Sequence, residues 1–313
     1  MTRENLLSKA LGLVVLLLLT QTAFSNHVIV NLSATAQQAD EGDSYKAFYE
    51  ANAAKDLPKA YELAKKHLQD FPNGKYAEYF KTKYIPNTRA KLFNEAYAAK
   101  NTEALLRLGN EALTEDPNDL NFLITLAHHL NVNEVNAKPP ITTHATEAEA
   151  FTRRATKLLE EGKKPAEGSA WKPNEMLNYF YQVLALIEQK NKKPENALAF
   201  YEKAQALDSA NSFIYFQTGG IYQNRYAEAT KRYDALPQAE KDSATPSAET
   251  QALLKEIHDT ADATLERWIK FLKLTATNNT YGEKRAEIES VVTDLYKYRH
   301  PDSPEGFREL IKP

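Results

Sequence analysis

Histidine and carboxylate side chains are the groups best suited to acid–base or metal chemistry, and one set of them lies close together in the chain. His128 and His129 are adjacent, and Glu134 and His144 follow shortly after. Imidazole and carboxylate groups are zinc ligands, but adjacent helical residues point in different directions. A metal site would require His128, Glu134 and His144 to converge across a loop. The simpler interpretation is that these histidines are partly buried packing residues.

The sequence contains no other catalytic or cofactor motif that we recognise. It has no nucleophile elbow, no glycine-rich phosphate loop, no paired-histidine metal helix and no calcium-binding loop. Cysteine is absent, which excludes disulfides, thiolate metal ligands and a cysteine nucleophile. We therefore predict no catalytic residues, no metal and no cofactor, and a binding protein rather than an enzyme.

The charges are numerous but balanced. The 39 basic and 42 acidic residues give a net charge of −3, and they are interspersed along the chain rather than grouped in blocks. Nucleic-acid binding needs basic residues concentrated on one surface. The sequence therefore predicts no nucleic-acid partner.

Helices must position any functional side chains, because the composition is typical of helices. The chain has only 10 Gly, and 42% of its residues are apolar. Apolar residues recur at helical spacing almost throughout, interrupted by short turns rich in Pro, Asn and Asp. This rhythm predicts an all-α protein in which a helix, a turn and a second helix repeat.

Two stretches of the chain predict the first helical hairpins. One runs from Tyr45 to Leu68, and the other from Leu92 to Leu113. Their last helices end at similar sequences, Asp70-Phe71-Pro72-Asn73 and Glu115-Asp116-Pro117-Asn118. Between them we expect an additional helix over 75–84, ended by Pro86, since proline does not continue a helix.

The clearest repeat begins at Tyr181. There Tyr181-x2-Leu184-Ala185 is followed by Ala197-x3-Tyr201 and Ala204, and 34 residues after Tyr181 comes Tyr215-x2-Thr218-Gly219-x2-Tyr222. This order resembles the tetratricopeptide-repeat pattern W-x2-L-G-x2-Y…A-x3-F…P, and the resemblance covers roughly residues 44 to 224. The departures from the pattern are Glu188, His67, Gly109 and Ser209. We expect the small residues to let helices approach closely, and the large ones to fill the space between hairpins.

The predicted fold is a superhelical stack of antiparallel helix hairpins, an α-solenoid, with a C-terminal helical cap. The repeats are expected over 44–236, with an insertion loop near 133–144 that contains Pro139-Pro140. A linker follows at 237–248. The cap is expected over 249–313, where Thr250 to Leu274 has the apolar spacing of a long amphipathic helix. Such atypical terminal elements are needed to close a repeat stack.

The N-terminus predicts export. Arg3 and Lys9 precede the apolar run at 10–19, and small and polar residues follow it, as in a secretory signal peptide. We assign 1–36 to a signal peptide and polar lead, with cleavage after residue 25 or 36. An uncleaved anchor is the alternative, but the apolar run is shorter than the roughly 20 residues that span a bilayer. The mature chain is predicted to be periplasmic or extracellular, without a membrane span.

The resemblance implies where a ligand would bind. In tetratricopeptide proteins the first helix of each hairpin lines a concave groove. Carried onto this sequence, those positions are mostly aromatic or amide residues: Tyr45, Tyr49, Asn94, Tyr97, Asn121, His128, Tyr179, Gln182, Phe213 and Phe216. Aromatic rings supply contact area, and amides both donate and accept hydrogen bonds. The alternative is that Tyr45, Tyr179 and Phe213 only pack between helices, because an error of one residue in phase exchanges the faces.

The predicted function is a non-catalytic protein–protein interaction scaffold of the cell envelope, which binds an extended polypeptide in this groove. The Lys and Asn clamp by which some tetratricopeptide proteins bind a C-terminal carboxylate is not recognisable here. The alternatives are an envelope hydrolase or a glycan-binding protein that uses the same groove, and self-association through exposed repeat ends. Trp171 and Trp268 are interpreted as core anchors.

Overall fold

The computed structural model describes residues 40–277, 280–303 and 306–312, so the signal peptide predicted at 1–36 lies outside the described residues. All regular structure within these ranges is helical. The α-helices are α1 Glu41–Ala53, α2 Leu57–Asp70, α3 Ala77–Tyr79, α4 Ile85–Ala98, α5 Thr102–Glu115, α6 Leu120–Leu130, α7 Ala145–Glu160, α8 Pro173–Lys190, α9 Pro194–Leu207, α10 Ser212–Asp234, α11 Gln238–Lys241, α12 Ala248–Leu274, α13 Glu283–Arg299 and α14 Phe307–Leu310. Two π-helical segments, Phe80–Tyr84 and Asn131–Val135, follow α3 and α6.

The helices pack as five antiparallel hairpins, each against its neighbour in the chain. The pairs are α1 with α2, α4 with α5, α6 with α7, α8 with α9, and α10 with α12. α13 and α14 pack against α12 at the end of the stack. The prediction of an all-α stack of antiparallel hairpins is confirmed. No described helix combines the length and the apolar character needed to cross a bilayer.

Three of the hairpins are closed by the same turn. In each, one lysine takes a left-handed backbone conformation, with φ values of 60° at Lys55, 55° at Lys100 and 58° at Lys192. The residue after each lysine donates its N–H to a carbonyl five positions back: Asp56 to Ala51, Asn101 to Ala96 and Lys193 to Glu188, at 2.9–3.0 Å. This is the hydrogen bond of a Schellman motif, in which glycine is the usual left-handed residue.

Pro86 does not end a helix, so that expectation is wrong. The chain stays helical from α3 through the π-helical segment Phe80–Tyr84 into α4, with Pro86 in the first turn of α4. The N–H of Ile85 donates to the carbonyl of Phe80, five residues back, as in a π-turn. The wider turn accommodates the proline ring and the missing donor, and a straight α-helix would not.

The last hairpin is built from the two longest helices, α10 and α12, which pack along each other. The segment predicted as a linker, 237–248, is the connection between them and contains α11. Ser247 caps the N-terminus of α12, where its Oγ accepts the N–H of Thr250 at 3.2 Å. The helix that we expected to open the cap is therefore also the second helix of this hairpin.

The small and large residues of the repeat pattern form the core as expected. Ala185, Ala197, Ala204 and Tyr201 have no exposed surface. On α10, a Cβ atom at Gly219 would lie 2.2 Å from Cδ1 of Trp268, so only glycine lets α12 approach this closely. Trp268 is buried, as interpreted from the sequence.

The departures from the repeat pattern have local partners. Glu188 is buried and accepts a hydrogen bond from Arg153 at 2.7 Å, which supplies the opposite charge that a buried carboxylate needs. At Gly109, where an aromatic residue was expected, a Cβ would lie 2.8 Å from a methyl group of Leu126. The space is thus filled from α6 instead of from α5.

Candidate binding site

A recess lies between α4, α6 and the segment 161–172, which connects α7 to α8. Its volume is about 650 Å³. Three residues predicted for the groove, Asn94, Tyr97 and Asn121, line it. The other lining residues are Ala90, Phe93, Asp119, Phe122, Thr125, Ala166, Glu167, Gly168, Ser169, Ala170 and Trp171. We call this space the α4–α6 recess.

Hydrogen bonds tie the segment 161–172 to α6 and so fix the wall of the recess. The indole Nε1–H of Trp171 donates to Thr125 Oγ1 at 3.1 Å, and the N–H of Ala166 donates to Asn121 Oδ1 at 3.3 Å. Within the segment, the Trp171 N–H donates to Ser169 Oγ at 3.3 Å. Asn121, predicted as a ligand-binding residue, is thus also a structural acceptor.

At the back of the recess, rings from α4, α6, the segment 161–172 and α8 form an aromatic cluster. The Tyr97 hydroxyl oxygen and His128 Nδ1 are 3.1 Å apart, in hydrogen-bond contact. The His128 ring lies 5.1 Å from the Trp171 ring and 5.4 Å from the Tyr179 ring, between centroids. Tyr97, His128 and Tyr179, all predicted for the groove, thus lie together, but His128 and Tyr179 support the recess rather than line it.

The aromatic cluster is uncharged at neutral pH. Burial, and to a lesser extent the neighbouring His129, lowers the pKa of His128 below its ordinary value. Burial raises the pKa of Tyr97, and burial together with Tyr97 raises the pKa of Tyr179 to about 12. The imidazole is therefore neutral and both phenols are protonated at pH 7.

The charged side chains that line the recess are acidic. Asp119 precedes α6, and its carboxylate accepts the N–H groups of Asn121 at 3.0 Å and Phe122 at 3.3 Å. Glu167 is exposed on the segment 161–172. No lysine or arginine is among the described residues lining the recess.

Phe216 lines a second recess, about 390 Å³ in volume, between α10 and the last long helices. We call this space the α10–α13 recess. Amide side chains of Gln189, Gln217 and Gln223 also line it, and Lys284 and Glu287 form an ion pair at 2.5 Å there. Predicted groove residues thus lie at two separate recesses.

The remaining predicted groove residues do not share one environment. Tyr45 stacks on Tyr76 with ring centroids 3.6 Å apart, and Phe213 packs beside the core of α8 and α9, so both contribute to packing. The Gln182 amide donates to its helix neighbour Asn178. Tyr49 is 59% exposed and available to a partner.

His128, Glu134 and His144 do not form one site. Nδ1 of His144 lies 2.8 Å from Glu134 Oε2, whereas His128 belongs to the aromatic cluster. His129 is buried and contacts Thr102 at 2.9 Å. Across the described residues, no three His, Asp or Glu side chains are grouped to hold a metal ion.

Sequence reasoning missed the segment 161–172 as part of the site. Trp171, interpreted as a core anchor, is only half-buried, and its ring forms a wall of the α4–α6 recess. The available signal was the long connection between α7 and α8, residues 161–172, which contains Gly162 and Gly168, both in left-handed conformations in the structure.

The hairpins and the interlocking of small and large residues define this chain as an all-α repeat protein built of stacked antiparallel helix hairpins. No family model matches the sequence, and no curated protein does either. Similar solved structures include a tetratricopeptide-repeat protein from Bacteroides fragilis, with 14% identity, 82% of this chain and 97% of that chain covered, and a TM-score of 0.43. Another is a tetratricopeptide protein of Thermus thermophilus, with 13% identity, coverage of 82% and 98%, and a TM-score of 0.24.

Proposed function

We propose that this chain is a non-catalytic interaction scaffold that binds an extended polypeptide, with the α4–α6 recess as its principal anchor site. The observation that carries the proposal is the meeting of Asn94, Tyr97, Asn121 and Trp171 around one recess. Two of these side chains are aromatic and two are amides. Together they combine apolar contact area with groups that can pair with a peptide backbone.

The architecture supports recognition by side chains. Helices satisfy their own backbone hydrogen bonds, so a stack of hairpins offers a ligand few free backbone groups. Affinity then depends on side-chain anchors, and partly exposed Tyr and Trp rings are among the strongest. A volume of about 650 Å³ is in the range of sites that enclose a small ligand or one or two side chains.

The titratable groups at the recess support binding rather than acid–base catalysis. The Asp119 carboxylate is engaged by two backbone N–H groups, and the neutral His128 imidazole contacts the Tyr97 hydroxyl behind the recess. A hydrolase would need an acid and a base both directed at one bond. A glycan remains an outcome of the test, since aromatic rings and amides also suit sugars.

A site-specific photo-crosslinker tests the proposal. Benzoylphenylalanine replaces Asn94, which is exposed at the recess, in the full-length protein expressed in its own cells. The matched control carries it at Glu228, which is exposed on α10 outside both recesses. We expect polypeptide adducts, identified by mass spectrometry, at position 94 and not at 228. Adducts with glycan alone, or equal adducts at both positions, would contradict the proposal.

We further propose that the scaffold acts in the cell envelope, on the basis of the signal-like residues 1–36. Cell fractionation and mass measurement of the purified chain test this. A mature chain that begins at residue 26 or 37 in the periplasmic or secreted fraction is the expected result. Recovery of the chain with Met1 in the cytosolic fraction would overturn it.

A further inference from the structure

We propose that the α4–α6 recess binds a lysine or arginine side chain of the partner polypeptide. This inference rests on the proposed function and adds the chemistry of the residue that is recognised. Three features support it: the sign of the charge at the recess, the aromatic character of its walls, and the contrast with the other depressions of the surface.

Charge complementarity is the first support. Asp119 and Glu167 are both acidic, and no basic residue is among the described residues that line the recess. Asp119 is half-buried and held in place by Asn121 and Phe122, so it is a fixed negative charge rather than a mobile one. Within the lining of the recess, a cationic side chain would meet only acidic charges.

The walls are the second support. Phe93, Tyr97, Phe122 and Trp171 line the recess, and the Phe93 and Phe122 rings lie 4.5 Å apart between centroids. Aromatic faces attract cations, and most strongly where water is excluded. The long aliphatic portion of a lysine or arginine side chain would contact these rings while its charged end reaches the carboxylates. His128 behind the wall is neutral and does not oppose the cation.

The neighbouring depressions are the third support, because each contains basic as well as acidic residues. A depression of about 470 Å³ shares Asp119 and Asn121 with the recess, but its lining contains both acidic and basic residues. Those charged residues are Asp116, Asp119, Glu161, Lys163 and Lys164. The α10–α13 recess contains the ion pair of Lys284 with Glu287. Of these three, only the α4–α6 recess combines aromatic walls with a lining whose charged residues are all acidic.

The two indole N–H groups of the chain provide internal reporters for a binding test. Trp171 lies at the recess and Trp268 in the core of the last hairpin. The full-length protein is labelled with ¹⁵N and titrated, to about 10 mM, with the acetylated peptide amide Ala-Ala-Arg-Ala-Ala or its citrulline analogue, since one anchored side chain gives millimolar affinity. Citrulline has nearly the same shape as arginine but no charge. We expect the NMR cross-peak of the Trp171 indole N–H to move when the arginine peptide is added. The cross-peak of the Trp268 indole N–H should stay in place.

Two double variants separate local charge from net charge. Asp119→Asn with Glu167→Gln removes the acidic charges of the recess, and asparagine also caps a helix well, so α6 is preserved. Glu228→Gln with Asp302→Asn makes the same change in net charge at two exposed positions outside the recess. We expect the first variant to weaken the arginine peptide about 3- to 10-fold and the second to leave it unchanged.

Each outcome decides between specific alternatives. Equal binding of the arginine and citrulline peptides, with a Trp171 shift, would overturn the cationic preference and leave the polypeptide scaffold supported. Equal weakening in both double variants would also overturn it, because a general charge effect would then be responsible. If no peptide moves the Trp171 signal while the crosslinker at position 94 captures polypeptides, the inference fails and the proposed function stands. If the crosslinker at position 94 also captures no polypeptide, both the inference and the proposed function are contradicted.

Discussion

Gly219 of α10 lies directly against the indole ring of Trp268 on α12, with no room for a Cβ atom: one built there would be 2.2 Å from Cδ1 of the indole. The next residue, Gly220, is in the same helix, and a Cβ there would have no neighbour within 4 Å. Two adjacent glycines thus have opposite requirements. The first permits the close contact of two helices, and the second has no such role.

This contrast gives the first prediction. Gly219→Ala should destabilise the protein by about 1–3 kcal/mol, because Trp268 must shift in a packed core. Gly220→Ala should stabilise it by roughly 0.5–1 kcal/mol, because alanine is a better helix former than glycine. Chemical denaturation of both variants measures the difference. Equal effects of the two substitutions would mean that the contact between α10 and α12 is looser than described.

The wall of the α4–α6 recess gives the second prediction. Thr125→Val keeps the shape of a buried side chain but removes the acceptor for the Trp171 indole N–H. We expect a loss of about 1 kcal/mol in stability and faster amide hydrogen exchange in the segment 161–172. Exchange in α12 should not change. Unaltered exchange in 161–172 would show that this hydrogen bond does not hold the wall.

Substitutions of Tyr97 distinguish its role in packing from its role in binding, and they give the third prediction. Tyr97→Phe keeps the ring and loses the contact with His128, so stability should fall by about 0.5–1.5 kcal/mol while crosslinking from position 94 persists. Tyr97→Ala removes an aromatic wall and should reduce binding by about 1–3 kcal/mol. The matched comparison at the other recess is Phe216→Ala. If Tyr97→Ala lost stability but still captured polypeptide from position 94 as well as the parent does, the Tyr97 ring would have only a packing role.

The pairing of Glu188 with Arg153 gives the fourth prediction, on pH. The hydrogen bond from Arg153 lowers the pKa of Glu188 in the folded protein, and burial opposes this only partly. A lowered folded pKa means that the pair stabilises the protein above the unfolded pKa of about 4.3 and ceases to do so as pH falls through the folded pKa.

Glu188→Gln tests this dependence. At pH 7 the variant should be less stable than the parent by about 1–3 kcal/mol, because it loses a hydrogen bond between charged groups. The difference should shrink as the pH is lowered from 5 toward the folded pKa. Urea unfolding at a series of pH values measures it. A difference that is constant across that range would contradict the assignment.

Much of the fold could be predicted from the sequence, because helical spacing and turn residues are local signals. The pattern around Tyr181 and Tyr201 correctly located the best-formed repeat, and both residues are buried. Pro86 misled the prediction, since a π-helical turn depends on the surroundings and has no sequence signature of its own. The pairing of α10 with α12 was missed because the two helices are separated by a segment that reads as a linker.

The site was less predictable, for a physical reason. The phase of the repeat placed Asn94, Tyr97 and Asn121 on one face, and the α4–α6 recess contains all three. It could not show that the segment 161–172 folds back to complete the recess, because that depends on contacts with Thr125 and Asn121 far away in the chain. Nor could it separate Tyr49, which is exposed, from Tyr45, which stacks on Tyr76.

The shared lysine turns have a consequence for the architecture as a whole. Lys55, Lys100 and Lys192 give three hairpins one backbone geometry, so the angle between the two helices of each is set locally by a few residues. Within these three hairpins the turn is constant, whereas the α6–α7 and α10–α12 hairpins have longer connections and the joints between successive hairpins vary. Those joints differ widely: the π-helical run after α2, the short turn before α6 and the long segment before α8. The position of each hairpin relative to the next, and with it the spacing of the two recesses, thus depends on the joints, where insertions can alter what is recognised while the shared turns stay the same.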